Sequence, residues 1–272
     1  MTSTIGAQGL LDMSGEADST DLKNIVETAA APVSASISGT APSTDVSPLV
    51  GDTVPIAVTN AAGIGEYTMT ANARYPKAAA KYGSDGLVTA SGLDLGRVSS
   101  YTVTLNCQEY EDTALASTPP TFKGFIPGEV SGTWSLETNI DDTTALPEVG
   151  DTATGATFRL STASTNDNEI SGDIIVTGVT PNVSRGEKNT ATVSGVFTGE
   201  LSAAGDESLF TGSTVARPQD TDFILKPDAA TPSSVTYAGT VFWTSIAISV
   251  NMNQPIDIAL TMRGTGALVH NS

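Results

Sequence analysis

The sequence predicts a mainly β protein, built as antiparallel β-sandwich or barrel units with long loops and at most short helices. Thr, Ser, Ala, Gly and Val dominate its 272 residues, a composition typical of strands and turns. Apolar and polar residues alternate over many short runs, as they do on strands with one buried face. Gly, Pro, Asn and Asp separate these runs at short intervals, which favours a sandwich or barrel.

The clearest alternation lies in residues 236–268. Ile246 and Ile248 share one parity in a first run, and the residues around Ile258 alternate in the same way in a second run. Successive side chains of a strand point to opposite faces, so each run predicts a half-buried strand. Residues 251–255, which contain Asn and Pro, predict the hairpin loop that joins the two strands.

An earlier stretch repeats this pattern. Residues 170–201 overlay the final stretch without a gap when they are shifted by 67, so that Gly172 falls on Gly239. A Thr-Gly pair near the end of each stretch also coincides, and side-chain parity is kept throughout. With two extra residues in the later copy, residues 158–160 meet residues 223–225. We therefore predict one β unit that occurs twice, against the alternative that any two strand hairpins look alike.

The chain is predicted to have three parts. Residues 1–48 form a flexible arm with a short helix, and residues 49–118 form a β region. Residues 119–272 form a β domain that holds the repeated hairpin unit, at 155–201 and at 220–268.

The remaining elements follow from local patterns. Thr20 could cap a helix over residues 21–28, where Leu22 and Ile25 would share a face, and residues 76–82 could form a brief helical turn. The Gly- and Asp-rich residues 203–222 predict an exposed connection between the two repeated hairpins. Further strands are predicted at residues 54–59, 67–75, 86–90, 98–106, 122–126, 130–138 and 157–160.

Residues that could carry catalysis or hold a metal are scarce. The only Cys is Cys107, which is predicted to be buried and inert, and the only His is His270, predicted to be exposed near the end of the chain. A single His and a single Cys exclude zinc sites and Ser-His or Cys-His triads. Neighbouring acids such as Asp141-Asp142 are expected by chance among 30 acidic residues. We predict no catalytic, cofactor-binding or metal-binding residue.

The formal net charge of −18 disfavours binding to nucleic acids and to anionic membranes over the surface as a whole. Three explanations fit it: a soluble acidic surface, a high-salt environment, or the wall of a conduit through which a polyanion slides. No apolar run is long enough for a transmembrane helix, and the first residues lack the features of a secretory signal.

Several short stretches in the second half of the chain form a recurring pattern. Tyr237-Ala238-Gly239 leads into a strand at residues 243–249, and Gly264-Thr265-Gly266-Ala267-Leu268 closes the next strand. Upstream, Ser131-Gly132-Thr133-Trp134-Ser135-Leu136 precedes Asp141-Asp142. This pattern resembles the tail tube proteins of long-tailed bacterial and archaeal viruses.

The resemblance covers residues 122–268. It departs from the family at residues 139–149, where Pro147 makes a poor helix, and the first 120 residues match no family pattern. It implies a β-sandwich or barrel subunit that joins its copies edge to edge into rings, a trimer or a hexamer per ring. Stacked rings would form a hollow tube through which DNA passes without specific binding.

The resulting prediction is a virion structural protein, a tail tube subunit assembled in the host cytoplasm, with itself and other tail proteins as partners and with no enzymatic activity. Leu10, Leu11 and Met13, the apolar residues of the N-terminal arm, are predicted at an interface between subunits. The alternative is a capsid decoration or immunoglobulin-like adhesion protein of a virion. A carbohydrate-active enzyme is disfavoured, because only 6% of the residues are aromatic.

Overall fold

The structure, a computed structural model, is built almost entirely of antiparallel β-sheet, which confirms the predicted fold class. It describes residues 3–5, 9–14, 22, 25, 31–40, 43–45, 59–61, 65–75, 87–113, 122–140, 145–160, 169–183, 188–204, 209–210, 214–226, 236–251 and 254–271. Fourteen strands belong to one sheet, and β4 and β5 pair separately. The strands are β1 (Ser3–Ile5), β2 (Gly9–Ser14), β3 (Ala31–Thr40), β4 (Ser43–Asp45), β5 (Thr59–Ala61), β6 (Glu66–Tyr75), β7 (Leu87–Thr89), β8 (Arg97–Glu111), β9 (Phe125–Asn139), β10 (Thr152–Arg159), β11 (Glu169–Asn182), β12 (Thr190–Ala204), β13 (Thr221–Lys226), β14 (Thr236–Asn251), β15 (Ile256–Gly264) and β16 (Val269–Asn271).

The large sheet contains two runs of six neighbouring strands with the same topology. The inserted unit, β7 to β12, has the spatial order β7-β10-β11-β12-β9-β8. The split unit, made of β2, β3, β6, β13, β14 and β15, has the spatial order β2-β13-β14-β15-β6-β3. When the six strands of each unit are numbered 1 to 6 along the chain, both units have the spatial order 1-4-5-6-3-2. The inserted unit therefore interrupts the split unit between β6 and β13.

The two units also share their register. Ala156 lies opposite Gly172 between β10 and β11, and Phe223 lies opposite Gly239 between β13 and β14. These equivalent residues differ by 67 in number, the shift at which the two sequences overlay. The same shift relates Val193, which pairs with Val179, to Leu260, which pairs with Ile246. The one difference from the sequence overlay is that Ala156, and not Phe158, takes the place of Phe223.

Irregularities of the two hairpins coincide as well. The register slips at Thr177 in β11 and at Thr244 in β14, which are equivalent positions. The hydroxyl of Thr177 donates to the carbonyl of Ser194 at 3.4 Å, and that of Thr244 donates to the equivalent carbonyl of Thr261 at 3.2 Å. A β-bulge reorients a strand locally, so a shared bulge gives both strands the same bend.

Each unit folds its sheet back on itself to enclose a core. In the inserted unit, the Phe158 ring of β10 packs on Tyr101 of β8 at 5.6 Å and on Trp134 of β9 at 5.9 Å, although β10 pairs with neither strand. In the split unit, Tyr67 of β6 packs against Phe223 of β13 at 6.3 Å in the same way. Burial of these alternating apolar residues supplies the main stabilisation of both sandwich-like layers.

Most predicted strands are present, several of them with longer bounds. β7 is shorter than the segment predicted at 86–90, and the strand predicted at 54–59 lies outside the described residues except for Thr59. The prediction over residues 67–75 corresponds to β6, and the hairpin loop near residues 251–255 joins β14 to β15. The segment predicted at 130–138 lies in β9, which also takes in residues 125–126 of the segment predicted at 122–126. Burial stops alternating around Pro127, where the register with β8 slips. The prediction at 157–160 corresponds to β10, which begins earlier, at Thr152.

Other predictions have different outcomes. Most of the helix expected at residues 21–28 lies outside the described residues, although Leu22 and Ile25 are both buried in the core. The turn expected at 76–82 lies entirely outside them. The connection at residues 203–222 was predicted to be exposed, but Leu209 and Phe210 in its middle are buried. Their apolar surface is covered by the core, which the polar composition around them does not reveal.

The predicted division into three parts stays a prediction, but strands from all three parts pair in the one sheet. β1 and β2 lie in the predicted arm, and β2 pairs with β13 far along the chain. β8 and β9 lie on either side of residue 118 and pair along most of their length.

Candidate functional site: the junction between the two units

The two units are joined by pairing between β8 and β14. Residues 100–106 of β8 run antiparallel to residues 245–251 of β14, with Leu105 opposite Ile246 and Val103 opposite Ile248. All four of these apolar side chains are buried. β14 therefore holds β15 on one side and β8 on the other along its second half, which makes the sheet continuous from one unit to the other.

Polar side chains line the other face of this junction. The Thr102 and Ser249 hydroxyl oxygens lie 3.3 Å apart, and the Ser245 hydroxyl donates to Asn106 Oδ1 at 3.1 Å. Cross-strand hydroxyl pairs of this kind contribute a few tenths to about 1 kcal/mol each. The junction is thus apolar on its core face and hydroxyl-rich on its outer face.

Arg263 adds an ionic contact between the units. Its Nη2 lies 3.0 Å from Glu66 Oε2 in the split unit, and its Nε lies 3.4 Å from Glu109 Oε2 in the inserted unit, without hydrogen-bond geometry. The guanidinium also stacks 3.9 Å above the Phe125 ring of β9. Its side chain is only 15% exposed, so solvent screens these contacts less than it screens a surface ion pair.

Two strand edges equivalent to those of the junction carry no strand partner among the described residues. By register, β3 of the split unit corresponds to β8, and β11 of the inserted unit corresponds to β14. β3 pairs only with β6, and the second half of β11 pairs only with β12. β1 approaches β3 without pairing with it.

The hydroxyl-rich surface extends across the sheet beyond the junction. In β3 and β6, the Ser36 and Thr70 hydroxyl oxygens lie 2.7 Å apart, and Asn72 Nδ2 donates to Ser34 Oγ at 2.9 Å. These side chains are exposed, whereas their neighbours on the opposite face are buried or half-buried. Short uncharged side chains therefore cover much of the open face of the sheet. Further members of this face are Thr102, Thr104, Thr133, Ser135, Thr192 and Ser249.

In the described part of the chain, the side chains that could take part in catalysis or metal binding lie apart from one another. Cys107 is buried, as predicted, and burial raises the pKa of its thiol. His270 is exposed, as predicted, and its ring lies 4.9 Å from that of Tyr237. Within the described part of the chain, no three His, Cys, Asp or Glu residues come together as a metal site would require. No helix among the same residues is long and apolar enough to cross a membrane.

Neighbouring acidic residues that the structure describes include Glu111 with Asp112, and Asp220 with Asp222. Glu111 binds Lys123 at 3.2 Å. Asp222 accepts a 2.6 Å hydrogen bond from the Thr240 hydroxyl. Burial, and then the charge of Asp222, raises the pKa of Asp220. Asp141-Asp142 lies outside the described residues.

The predicted interface residues lie near the first strands of the split unit. Leu11 and Met13 are fully buried in the chain's own core, where β2 pairs with β13. The exposure of the Leu10 side chain lies outside what the structure describes. A role for the three residues between subunits stays a prediction. The junction between β8 and β14 was missed, although the repeat was the signal that could have suggested it.

The sequence matches no protein-family model and no curated protein.

Proposed function

We propose that this chain is a structural subunit that assembles with copies of itself by joining sheet edges. The observation that carries the proposal is the junction, in which one unit pairs edge to edge with another unit of the same topology. An edge with unpaired N–H and C=O groups is a ready template for a further strand. A chain that already contains one such joint, with its counterpart edges open, has the parts of a repeating assembly.

More particularly, we propose a virion tail tube subunit, whose rings stack into a hollow conduit for DNA. The sequence resemblance to tail tube proteins supports this assignment. Closing the sheet into a ring would cover the edges through which the subunits join, as closure does in a barrel. Because each chain holds two units of one topology, a six-fold ring of units would need only three chains.

The chemistry of the open sheet face supports passage of DNA without binding. Ser, Thr and Asn side chains dominate this face, and they offer the phosphates no cationic partner. Its charged groups include Arg74, which is paired with Asp257 at 3.4 Å. The net charge of −18 adds a repulsive field. A wall that attracted phosphates would hold the DNA and slow its movement.

Negative-stain electron microscopy of the purified chain over a range of protein and salt concentrations tests the proposal. We expect hollow rings or stacked tubes, and their symmetry would distinguish three chains per ring from six. Discrete small particles under every condition would overturn the tube and favour a capsid decoration or adhesion protein.

A further inference from the structure

The free edges of β3 and β11 repeat the two edges that form the junction inside the chain. β3 matches β8 with a difference of 66 in residue number: Ile37, opposite Met69, takes the place of Val103, opposite Trp134. A register slip at Val33 in β3 also matches the slip at Ser99 in β8. β11 matches β14 with a difference of 67, including the shared bulge. Both halves of the junction therefore occur a second time in each chain.

Burial distinguishes the joined edges from their free copies. Val250, in the joined strand β14, is 2% exposed, whereas its equivalent Val183, just after β11, is 73% exposed. Tyr101 and Val103 of β8 are buried, whereas their equivalents Ala35 and Ile37 of β3 are only half-buried. Apolar side chains that one unit buries through pairing are left partly in solvent on the equivalent edges.

We propose that β3 of one chain pairs antiparallel with β11 of a second copy, in the register of the junction. This proposal rests on the proposed self-assembly and specifies its contact. In this register, Asn182 faces Ser36 of the neighbouring chain, as Ser249 faces Thr102 within the chain. In the same way, Val183 faces Ala35.

The proposed contact is chemically similar to the junction. Asn182 and Ser36 can hydrogen-bond on the outer face, as Ser249 and Thr102 do inside the chain. Pro181, in the position of Ile248, faces Ile37 and has no N–H to donate. The contact between chains therefore has fewer donors than the junction, which is compatible with Pro at a strand edge.

The symmetry of the contact follows from its two different edges. One chain contributes β3 and keeps its β11 edge free, whereas the other contributes β11 and keeps its β3 edge free. Such a head-to-tail contact continues from chain to chain and stops only when a ring closes. The sheet and its hydroxyl-rich face would then run without interruption around the ring.

A charge placed on the free edge tests the contact without touching the core. Val183→Asp puts a carboxylate where the proposed pairing would bury it, and Val269→Asp puts one on a residue of β16 that is 48% exposed, in a strand that pairs with β14 and with neither β3 nor β11. By mass photometry, we expect Val183→Asp to raise the concentration needed for assembly by at least about tenfold, which corresponds to 1.4 kcal/mol. Val269→Asp should leave this concentration unchanged. Equal assembly by the two variants would overturn the proposal.

A disulfide experiment tests the register in the full chain with Cys107→Ala. Ser36→Cys with Asn182→Cys should link neighbouring chains into covalent oligomers on oxidation. Thr102→Cys with Ser249→Cys, the equivalent pair, should close within one chain. Ser36→Cys with Thr190→Cys is the matched control, because Thr190 lies one strand further away, opposite Asn182 in β12. Two strand spacings, about 9.5 Å, exceed the reach of a disulfide.

The outcomes separate the two proposals. Covalent oligomers from the Ser36/Asn182 pair alone would support the contact and its register. Rings that form in the microscope without this cross-link would overturn the contact and leave the tube proposal standing. A chain that remains a monomer at every concentration would overturn both.

Discussion

The inserted unit and the split unit share topology, register and bulges, but they fill the same space with aromatic rings from different strands. In the split unit, the Tyr67 ring of β6 covers Gly264 of β15, so that a Cβ at Gly264 would collide with the ring. In the inserted unit the arrangement is reversed: Phe197 of β12, equivalent to Gly264, covers Gly132 of β9, at 2.8 Å from a Cβ built there. Gly132 is the equivalent of Tyr67.

This exchange shows which features the fold requires. A ring and a facing glycine are present in both units, and the strand that supplies the ring differs. Gly172 and Gly239, at equivalent positions of β11 and β14, lie under the ring in both cases. Close packing requires one aromatic ring in the space between the two facing strands, and either strand can supply that ring.

The chosen ring also changes the polar contacts. The Tyr67 hydroxyl donates to the Thr240 carbonyl at 2.7 Å and accepts from the Thr240 N–H at 3.0 Å, which Phe197 cannot do. In the inserted unit, a backbone carbonyl at Arg159 is instead bound by the Tyr101 hydroxyl at 2.6 Å. The two units therefore tie their layers together with different tyrosines.

The largest expected difference between the units concerns joined and free edges. Val250→Asp would bury a charge within the junction, and we expect a loss of about 4 kcal/mol or more in the free energy of unfolding. Val183→Asp, at the equivalent exposed position, should change it by less than about 0.5 kcal/mol. Urea unfolding at a concentration below assembly measures both. Similar losses of unfolding free energy in the two variants would contradict the inference that Val250 is buried by the junction and that Val183 lies on a free edge.

The exchanged rings can be tested by converting one unit toward the other. Gly264→Phe alone should cost about 3 kcal/mol, because its ring would occupy the space of Tyr67. Adding Tyr67→Gly should recover part of this loss, although the bonds to Thr240 remain missing. A double-mutant cycle from urea unfolding gives the coupling energy. Additive effects would contradict the idea that the two rings fill one space.

Alkaline pH should weaken the split unit through Tyr67. Burial, partly offset by the hydrogen bond to Thr240, raises the pKa of Tyr67 from 10.0 to about 12. Tyr67 ionises at a lower pH in the unfolded chain than in the folded one. Its contribution to the free energy of unfolding is therefore fully present below pH 10 and is lost as the pH rises toward about 12. The loss is about 2 to 3 kcal/mol. The Tyr67→Phe variant should lose less stability over this pH range. An unchanged slope of the free energy of unfolding against pH would refute the assignment of this loss to Tyr67.

The smallest effect distinguishes the ion pair at the junction from one on the surface. Arg263→Met leaves Glu66 and Glu109 without their cation, and we expect a cost of about 1 to 2 kcal/mol. Arg74→Met removes a pair whose side chains are 53% and 62% exposed, and it should cost less than about 0.5 kcal/mol. Thermal unfolding at two salt concentrations compares the variants. An equal loss of stability in the two variants would show that the buried ion pair of Arg263 stabilises the fold no more than the exposed pair of Arg74.

Local sequence patterns predicted much of this fold. Alternation identified β6 and the β14–β15 hairpin, because side chains on a strand change face at every residue. The shift of 67 recovered the register of both hairpins, including Thr177 on Thr244. The Thr-Gly pairs at 198–199 and 265–266 mark glycines with positive φ, 77° and 85°, where few other residues fit.

The same patterns misplaced what depends on distant partners. Phe158 was aligned with Phe223 because both are aromatic, but the pairing with β11 gives that place to Ala156. Leu11 and Met13 were predicted between subunits, a role that stays a prediction, and the sequence did not indicate that they lie in the chain's own core where β2 pairs with β13, more than 200 residues away. Identity and alternation in a short segment do not specify which strand will cover it.

The sequence by itself determined the class of fold, the strands and the internal repeat, because periodicity and turn chemistry act over a few residues. Only the tertiary structure decided that one unit is inserted into the other and that β8 joins β14. Alternation specifies which face of a strand is buried and leaves its edge partners open. Those partners are selected by the packing of the whole core, and so are the two edges that remain free for another chain.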